Sequence, residues 1–155
     1  MEKTGVIEGG TLSKEFSLKD QDGEEFNLSE YKGKKILLSF HPLAWTNVCA
    51  KQMLSLENHK KKFDDLNTVA VGISVDSVPC KKAWAKELDI KDTRLLSDFW
   101  PHGEVSKKYG LFREEDGFSE RTNVIINEEQ KVSFSKFYPI KELPDIDEVI
   151  EILRK

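Results

Sequence analysis

The chain has 155 residues, enough for one domain around a single core, and its 38% hydrophobic and 34% charged residues exclude a disordered or membrane-spanning protein. A net charge of −4 argues against nucleic acid as a main partner. Two cysteines and three scattered histidines, with neither a CxxC pair nor zinc-ligand spacing, argue against a disulfide scaffold and a metal site.

"MEKTGVIEGG" (1–10) holds no apolar stretch of signal-peptide length, and no later run approaches a membrane span, so the expected location is cytoplasmic. "FSLKDQDGEEFNL" is a hairpin signal: Phe16 and Leu18 alternate, Asp22-Gly23 turns the chain, and Phe26 and Leu28 return. "KKILLSF" (34–40) is continuously apolar, as a strand buried on both faces requires, and Pro42 ends it. Cys49, Met53, Leu56 and Phe63 then share one face at helical period, predicting a helix capped by Thr46 or Asn47 and running to about Asp65. Lys60, Lys61 and Lys62, followed by Asp64 and Asp65, read as its solvated face.

"TVAVGISV" (68–75) is a second buried strand, and Pro79 suits the first turn of a helix through Trp84 and Leu88. "TRLLSD" reads as a short strand and "GEVSKKYG" as a short helix. "ERTNVIIN" and "KVSFSKF" are strands joined by "NEEQ", and "DIDEVIEILRK" is a closing amphipathic helix with acidic start and basic end. Together these predict a single α/β domain over 1–155, with a central mixed sheet flanked by helices. The order of elements resembles the thioredoxin fold with an N-terminal β-hairpin added. Trp45, Trp84 and Trp100 are expected to pack, with Trp45 near enough to line the site.

If the strands ending near Phe40 and Val75 are parallel neighbours, the loops after both emerge at one sheet edge, where open α/β sheets bind ligands. Cys49 then lies in the first turn of one helix and Cys80 at the start of the next. A strand 121–127 running the other way brings Arg121 to the same edge. Helix-start N–H groups, the dipole and a guanidinium all favour thiolate over thiol, lowering a cysteine pKa from ~8.5 into the range ~3.5–7.5. Only the thiolate attacks, so Cys49 is a candidate nucleophile. Thr46 can aim its hydroxyl at the sulfur or at a bound oxygen, and Pro42 supplies a rigid wall without a donor. The other readings are a buried, inert Cys49 and an Arg121 paired on the surface with Glu120 or Glu128.

Pro42, Thr46 and Cys49 form P-x-x-x-T-x-x-C, which resembles the active-site signature of the peroxiredoxins, and "RTNVIINEEQKV" resembles that family's Arg-led strand pair. The resemblance spans nearly the whole chain and is nearest the bacterioferritin-comigratory and one-cysteine-like branches. It implies a thiol peroxidase that needs no cofactor. Cys49 would attack a hydroperoxide and become a sulfenic acid, with Thr46 and Arg121 orienting the substrate. It implies a thioredoxin-, glutaredoxin- or similar thiol reductant as partner, in a monomer or homodimer. Cys80 would be the resolving thiol that closes a Cys49–Cys80 disulfide, or a bystander in a one-cysteine enzyme; helix starts ~10 Å apart would have to unwind locally for the bridge to form. Two departures stand out: Gln52 where the family often has the Glu that holds the Arg, and His41 where an aromatic is more usual. The competing readings are a thioredoxin-type disulfide oxidoreductase, against which the missing CxxC argues, and a non-enzymatic binding module with an unreactive Cys49.

Overall fold

Alternation sets the first hairpin. In the computed structural model, which describes residues 10–155, β1 (Ser17–Lys19) and β2 (Glu25–Asn27) pair antiparallel with Leu18 opposite Phe26. The stretch read for targeting signals lies almost wholly outside the described residues. Phe16, Phe26 and Leu28 are buried, which fixes the register, since a one-residue slip would turn them outward. Leu28 itself falls in a short 3-10 helix (Leu28–Tyr31) rather than in the strand.

The two continuously apolar runs become β3 (Lys35–Phe40) and β4 (Thr68–Ser74), which pair in parallel from Lys35 opposite Thr68 to Phe40 opposite Ile73. β5 (Arg94–Ser97) adds in parallel to β4. β8 (Arg121–Ile126) lies antiparallel against the other side of β3, and β9 (Val132–Tyr138) against β8. With the hairpin joined through β5, the sheet has seven strands in the order β2-β1-β5-β4-β3-β8-β9. A separate small hairpin, β6 (Phe112–Arg113) with β7 (Phe118–Ser119), was not legible in the sequence.

The expected helix from Thr46 to Asp65 is two helices, α1 (Asn47–Asn58) and α2 (Lys60–Asp65), broken at His59. Neither Gly nor Pro marks the break; the His59 ring nitrogen Nδ1 instead lies 2.8 Å from the Ser55 carbonyl. The lysine run is solvated as expected, with Lys60 paired to Asp64. α3 (Val78–Leu88) starts at Ser77, whose hydroxyl accepts from the Cys80 amide, and carries Pro79 in its first turn. α4 (Glu104–Lys108) and α5 (Ile146–Arg154) complete the fold.

The sheet separates two apolar layers. Met53 and Leu56 of α1, Trp84 of α3 and Val149, Ile150 and Leu153 of α5 pack with Leu37, Leu95 and Ile125 on one face. The hairpin aromatics and Tyr109 pack with Ile36, Leu38 and Phe40 on the other. Gly72 in β4 lets α1 lie close to the sheet, because a Cβ there would collide with the Met53 sulfur. Trp84 is buried as expected, but Trp45 and Trp100 are 53% and 81% exposed, so neither packs in the core.

Candidate active site

Three elements meet at one edge of the sheet for the topological reason anticipated. β3 ends at Phe40, which pairs with Thr122 near the start of β8, so Arg121 stands beside the chain leaving β3. That chain runs through the buried Pro42 and turns at Trp45, whose φ of 68° is left-handed, before entering α1. The turn is pinned to the neighbouring strand: the Ala44 amide donates to Asp76 Oδ2 at 2.8 Å, and the Ser74 hydroxyl donates to the same oxygen at 2.6 Å.

Cys49, third residue of α1, is fully buried, and Arg121 Nη1 donates to its sulfur at 3.3 Å. Arg121 is itself only 2% exposed and is not the surface ion pair of the alternative reading. Its Nε and Nη2 donate to the Ile140 carbonyl at 2.9 and 2.6 Å, and Nη1 also donates to Gln52 Oε1 at 2.6 Å. The Gln52 amide nitrogen donates to Ser39 Oγ and the Phe40 carbonyl, and Ser39 donates in turn to Asn123. Gln52 therefore holds the guanidinium as a carboxylate would, through a neutral network in which the polar groups have partners. The guanidinium keeps its full positive charge facing the sulfur.

Thr46 occupies the N-cap position of α1, but its hydroxyl makes no bond to the helix N–H groups. It donates to the Leu43 carbonyl at 2.8 Å instead, and the side chain is exposed, so the expected side-chain cap is not formed. The first-turn amides of α1 thus receive neither a bond from the Thr46 side chain nor a partner within the helix.

Cys80 lies in the first turn of α3, partly buried. Both cysteines are free thiols, and they do not lie near each other. The Cys80 thiol donates to Asp76 Oδ1 at 3.8 Å. Burial, and then the Asp76 carboxylate, push its pKa above that of an ordinary thiol.

Sequence reasoning missed two groups. Asp76, just past the strand read over 68–75, was not singled out, yet it binds the turn before α1 and the Cys80 thiol. Lys81, which was not singled out, is fully buried, its Nζ 2.9 Å from His41 Nε2. A signal existed for the second: Lys81, Trp84 and Ala85 fall at i, i+3 and i+4, so the lysine shares the inward stripe of α3. His41 is buried as well and packs beside Trp84. Among the described residues no group of three or more His, Cys, Asp or Glu could hold a metal ion, and no helix is long and apolar enough to cross a membrane.

Comparison with known proteins shows what the chain as a whole is similar to. The AhpC/TSA family profile matches residues 10–135. Alkyl hydroperoxide reductase E of Mycobacterium tuberculosis is 35% identical over 141 residues, covering 90% of this chain and 92% of its own length. Peroxiredoxin 2 of Thermoplasma acidophilum is 31% identical over 150 residues, covering 94% of this chain and 74% of that protein. The structure of the mitochondrial 2-Cys peroxiredoxin from Plasmodium falciparum superimposes with a TM-score of 0.85 at 25% identity, covering 95% of this chain and 92% of that one.

Proposed function

The chain belongs to the AhpC/TSA family and is a peroxiredoxin, an oxidoreductase that takes peroxide substrates and thiol reductants, and from that premise we propose that Cys49 is the sulfur that attacks. The single observation supporting this is the Arg121 guanidinium, fixed by Gln52 and Ile140, donating to Cys49 Sγ in the first turn of a helix. Attack by the thiolate on the terminal oxygen of a hydroperoxide forms an S–O bond and breaks the O–O bond. The departing alkoxide or hydroxide carries the negative charge. Arg121 and the first-turn amides of α1 are the donors placed where that charge develops. Pro42 walls the pocket, and Thr46 orients the oxygen by turning its hydroxyl from Leu43 toward the substrate.

The sulfenic acid at Cys49 is then resolved by Cys80 through an intramolecular disulfide, after the first turns of α1 and α3 unwind. The placement of both residues at helix starts on neighbouring strands supports this step, since frayed first turns are the least costly part of a helix to open. A second reading is favoured by the Cys80–Asp76 contact: a thiol held protonated there is a bystander, and an external thiol reduces Cys49 directly. A steady-state peroxidase assay with a thioredoxin-type donor tests the attack, and unchanged turnover in Cys49→Ser would end it. Intact mass after one equivalent of peroxide separates the two resolutions: a loss of two hydrogens supports the disulfide, and a gain of one oxygen supports the bystander reading. An insulin-reduction assay is expected to be negative, as a chain without CxxC predicts.

A further inference from the structure

Asp76 lies between β4 and α3, outside both helices that carry the cysteines, and it is held from several sides. The Ser97 hydroxyl donates to its carbonyl at 2.6 Å. The Ser74 hydroxyl and the Ala44 amide donate to Oδ2 at 2.6 and 2.8 Å. The other carboxylate oxygen, Oδ1, faces α3, where the Cys80 thiol donates to it at 3.8 Å. One carboxylate therefore touches both the turn that leads into the helix of Cys49 and the sulfur in the first turn of α3.

Cys80 has a proton to lose before its sulfur can attack, since the thiolate is the nucleophile. Burial first, and the Asp76 charge next, hold that thiol above the ordinary range; the Trp45 side chain and the Lys81 charge act less strongly the other way. Free thiolate is therefore scarce at neutral pH. The contact that keeps the proton on sulfur also gives it a destination, because a proton shared with Oδ1 can cross as the sulfur attacks. Ser74 and Ser97 belong to strands, so their bonds keep Asp76 in place while the first turns of α1 and α3 unwind.

Resting on the reading of Cys80 as the resolving thiol, we propose that Asp76 is a catalytic residue of the resolution step, the general base that takes the Cys80 proton and passes it to the oxygen leaving Cys49. The balance is Cys80–SH plus Cys49–SOH giving Cys49–S–S–Cys80 plus H2O. One S–S bond forms, and one S–H and one S–O bond break. The Cys80 sulfur is oxidised and the Cys49 sulfur reduced, the electron pair of the S–O bond leaving with hydroxide. Asp76 accepts the thiol proton and returns it to that hydroxide as water. The carboxylate ends as it began, and no further reactant enters.

The test is a single turnover with one equivalent of hydrogen peroxide, quenched in acid at increasing times and read by intact mass. Conversion of the species with one added oxygen into the species lacking two hydrogens gives the rate of resolution apart from that of Cys49 oxidation. Carboxylates are ionised above about pH 5, so in the parent this rate is expected to change less than about threefold between pH 6 and pH 8. Asp76→Asn should resolve about 10- to 100-fold more slowly at pH 6 and gain nearly tenfold per pH unit, as attack by free thiolate requires. Asp76→Glu, which keeps a carboxylate, should restore the level profile. Lys81, brought down to about 7 by burial, faces both groups from α3, with His41 2.9 Å behind it; both are common to parent and variants, so the difference in slope reads Asp76. Equal rates and slopes in parent and Asp76→Asn overturn the proposal. A parent rate that itself climbs tenfold per unit does the same, and decides the question if the asparagine variant does not fold. A parent that stays at the gain of one oxygen ends the Cys80 reading and the proposal together, a failure told apart by the missing disulfide.

Discussion

Gln52 and Arg121 meet at 2.6 Å in the core, and the same guanidinium nitrogen lies 3.3 Å from the Cys49 sulfur. The amide thus sets the angle at which the positive charge faces the reactive group. Replacing it with Leu leaves Arg121 held only at Ile140, and a displacement of even 1 Å at a reacting centre costs up to about 100-fold. Gln52→Leu is expected to lower kcat/KM for hydrogen peroxide by about 10- to 100-fold and, by leaving the Arg121 guanidinium and the Phe40 carbonyl without that partner, to cost about 1–3 kcal/mol or more of stability. Gln52→Glu keeps the acceptor for Arg121 but sets a carboxylate oxygen against the Phe40 carbonyl, now contacted by the amide nitrogen at 3.2 Å. It should retain most activity while losing about 1–3 kcal/mol of stability in urea unfolding.

Arg121→Lys is not a conservative change. A single ammonium cannot reach Ile140, Gln52 and Cys49 at once, whereas the planar fork does. Arg121→Lys and Arg121→Met are both expected to lower the second-order rate constant for peroxide by about 10²–10³, the range for losing a donor to developing negative charge. Stopped-flow peroxide consumption reads this directly.

Asp76 raises the pKa of the Cys80 thiol, behind burial as the larger cause, so removing its charge must lower that pKa. In a Cys49→Ser background, Asp76→Asn should speed alkylation of Cys80 by iodoacetamide at pH 8 several-fold. An amide at that position can still accept from Ala44 and Ser74, so circular dichroism should be unchanged.

Asp98 provides a pH signature away from the site. Its carboxylate accepts from the Val105 and Ser106 amides at the start of α4, yet burial outweighs those bonds and raises its pKa to about 6. A carboxyl whose folded pKa lies above its unfolded value binds more protons in the native state. Its contribution is therefore most favourable at low pH and declines as pH rises from about 4 to about 6. The stability of Asp98→Asn relative to the parent should improve by on the order of 3 kcal/mol between pH 4 and pH 7, measured by urea unfolding at each pH.

Most of the fold could be read from the order of residues because its signals are local. "KKILLSF" and "TVAVGISV" read as doubly covered strands; their parallel pairing brings the helix starts that carry Cys49 and Cys80 to one edge, and antiparallel β8 adds Arg121 there. The break at His59 was hidden because Phe63 continues the apolar period of α1 across it. The two-residue strands β6 and β7 are too short to show any period. At the site, the proline, threonine and cysteine spacing was visible, but the partners of the Thr46 hydroxyl and of Gln52 depend on tertiary neighbours. Lys81 was hardest to read: lysine is almost never fully buried, so nothing but its place on the inward stripe of α3 marks it as an interior cation.

The most direct measurement is chemical trapping in Cys80→Ser protein. One equivalent of hydrogen peroxide is added in the presence of dimedone, and peptide mass spectrometry follows at increasing times. The account predicts a dimedone adduct on the peptide carrying Cys49, growing in step with peroxide loss and suppressed by Arg121→Met. Peroxide consumed while Cys49 remains an unmodified thiol would contradict it.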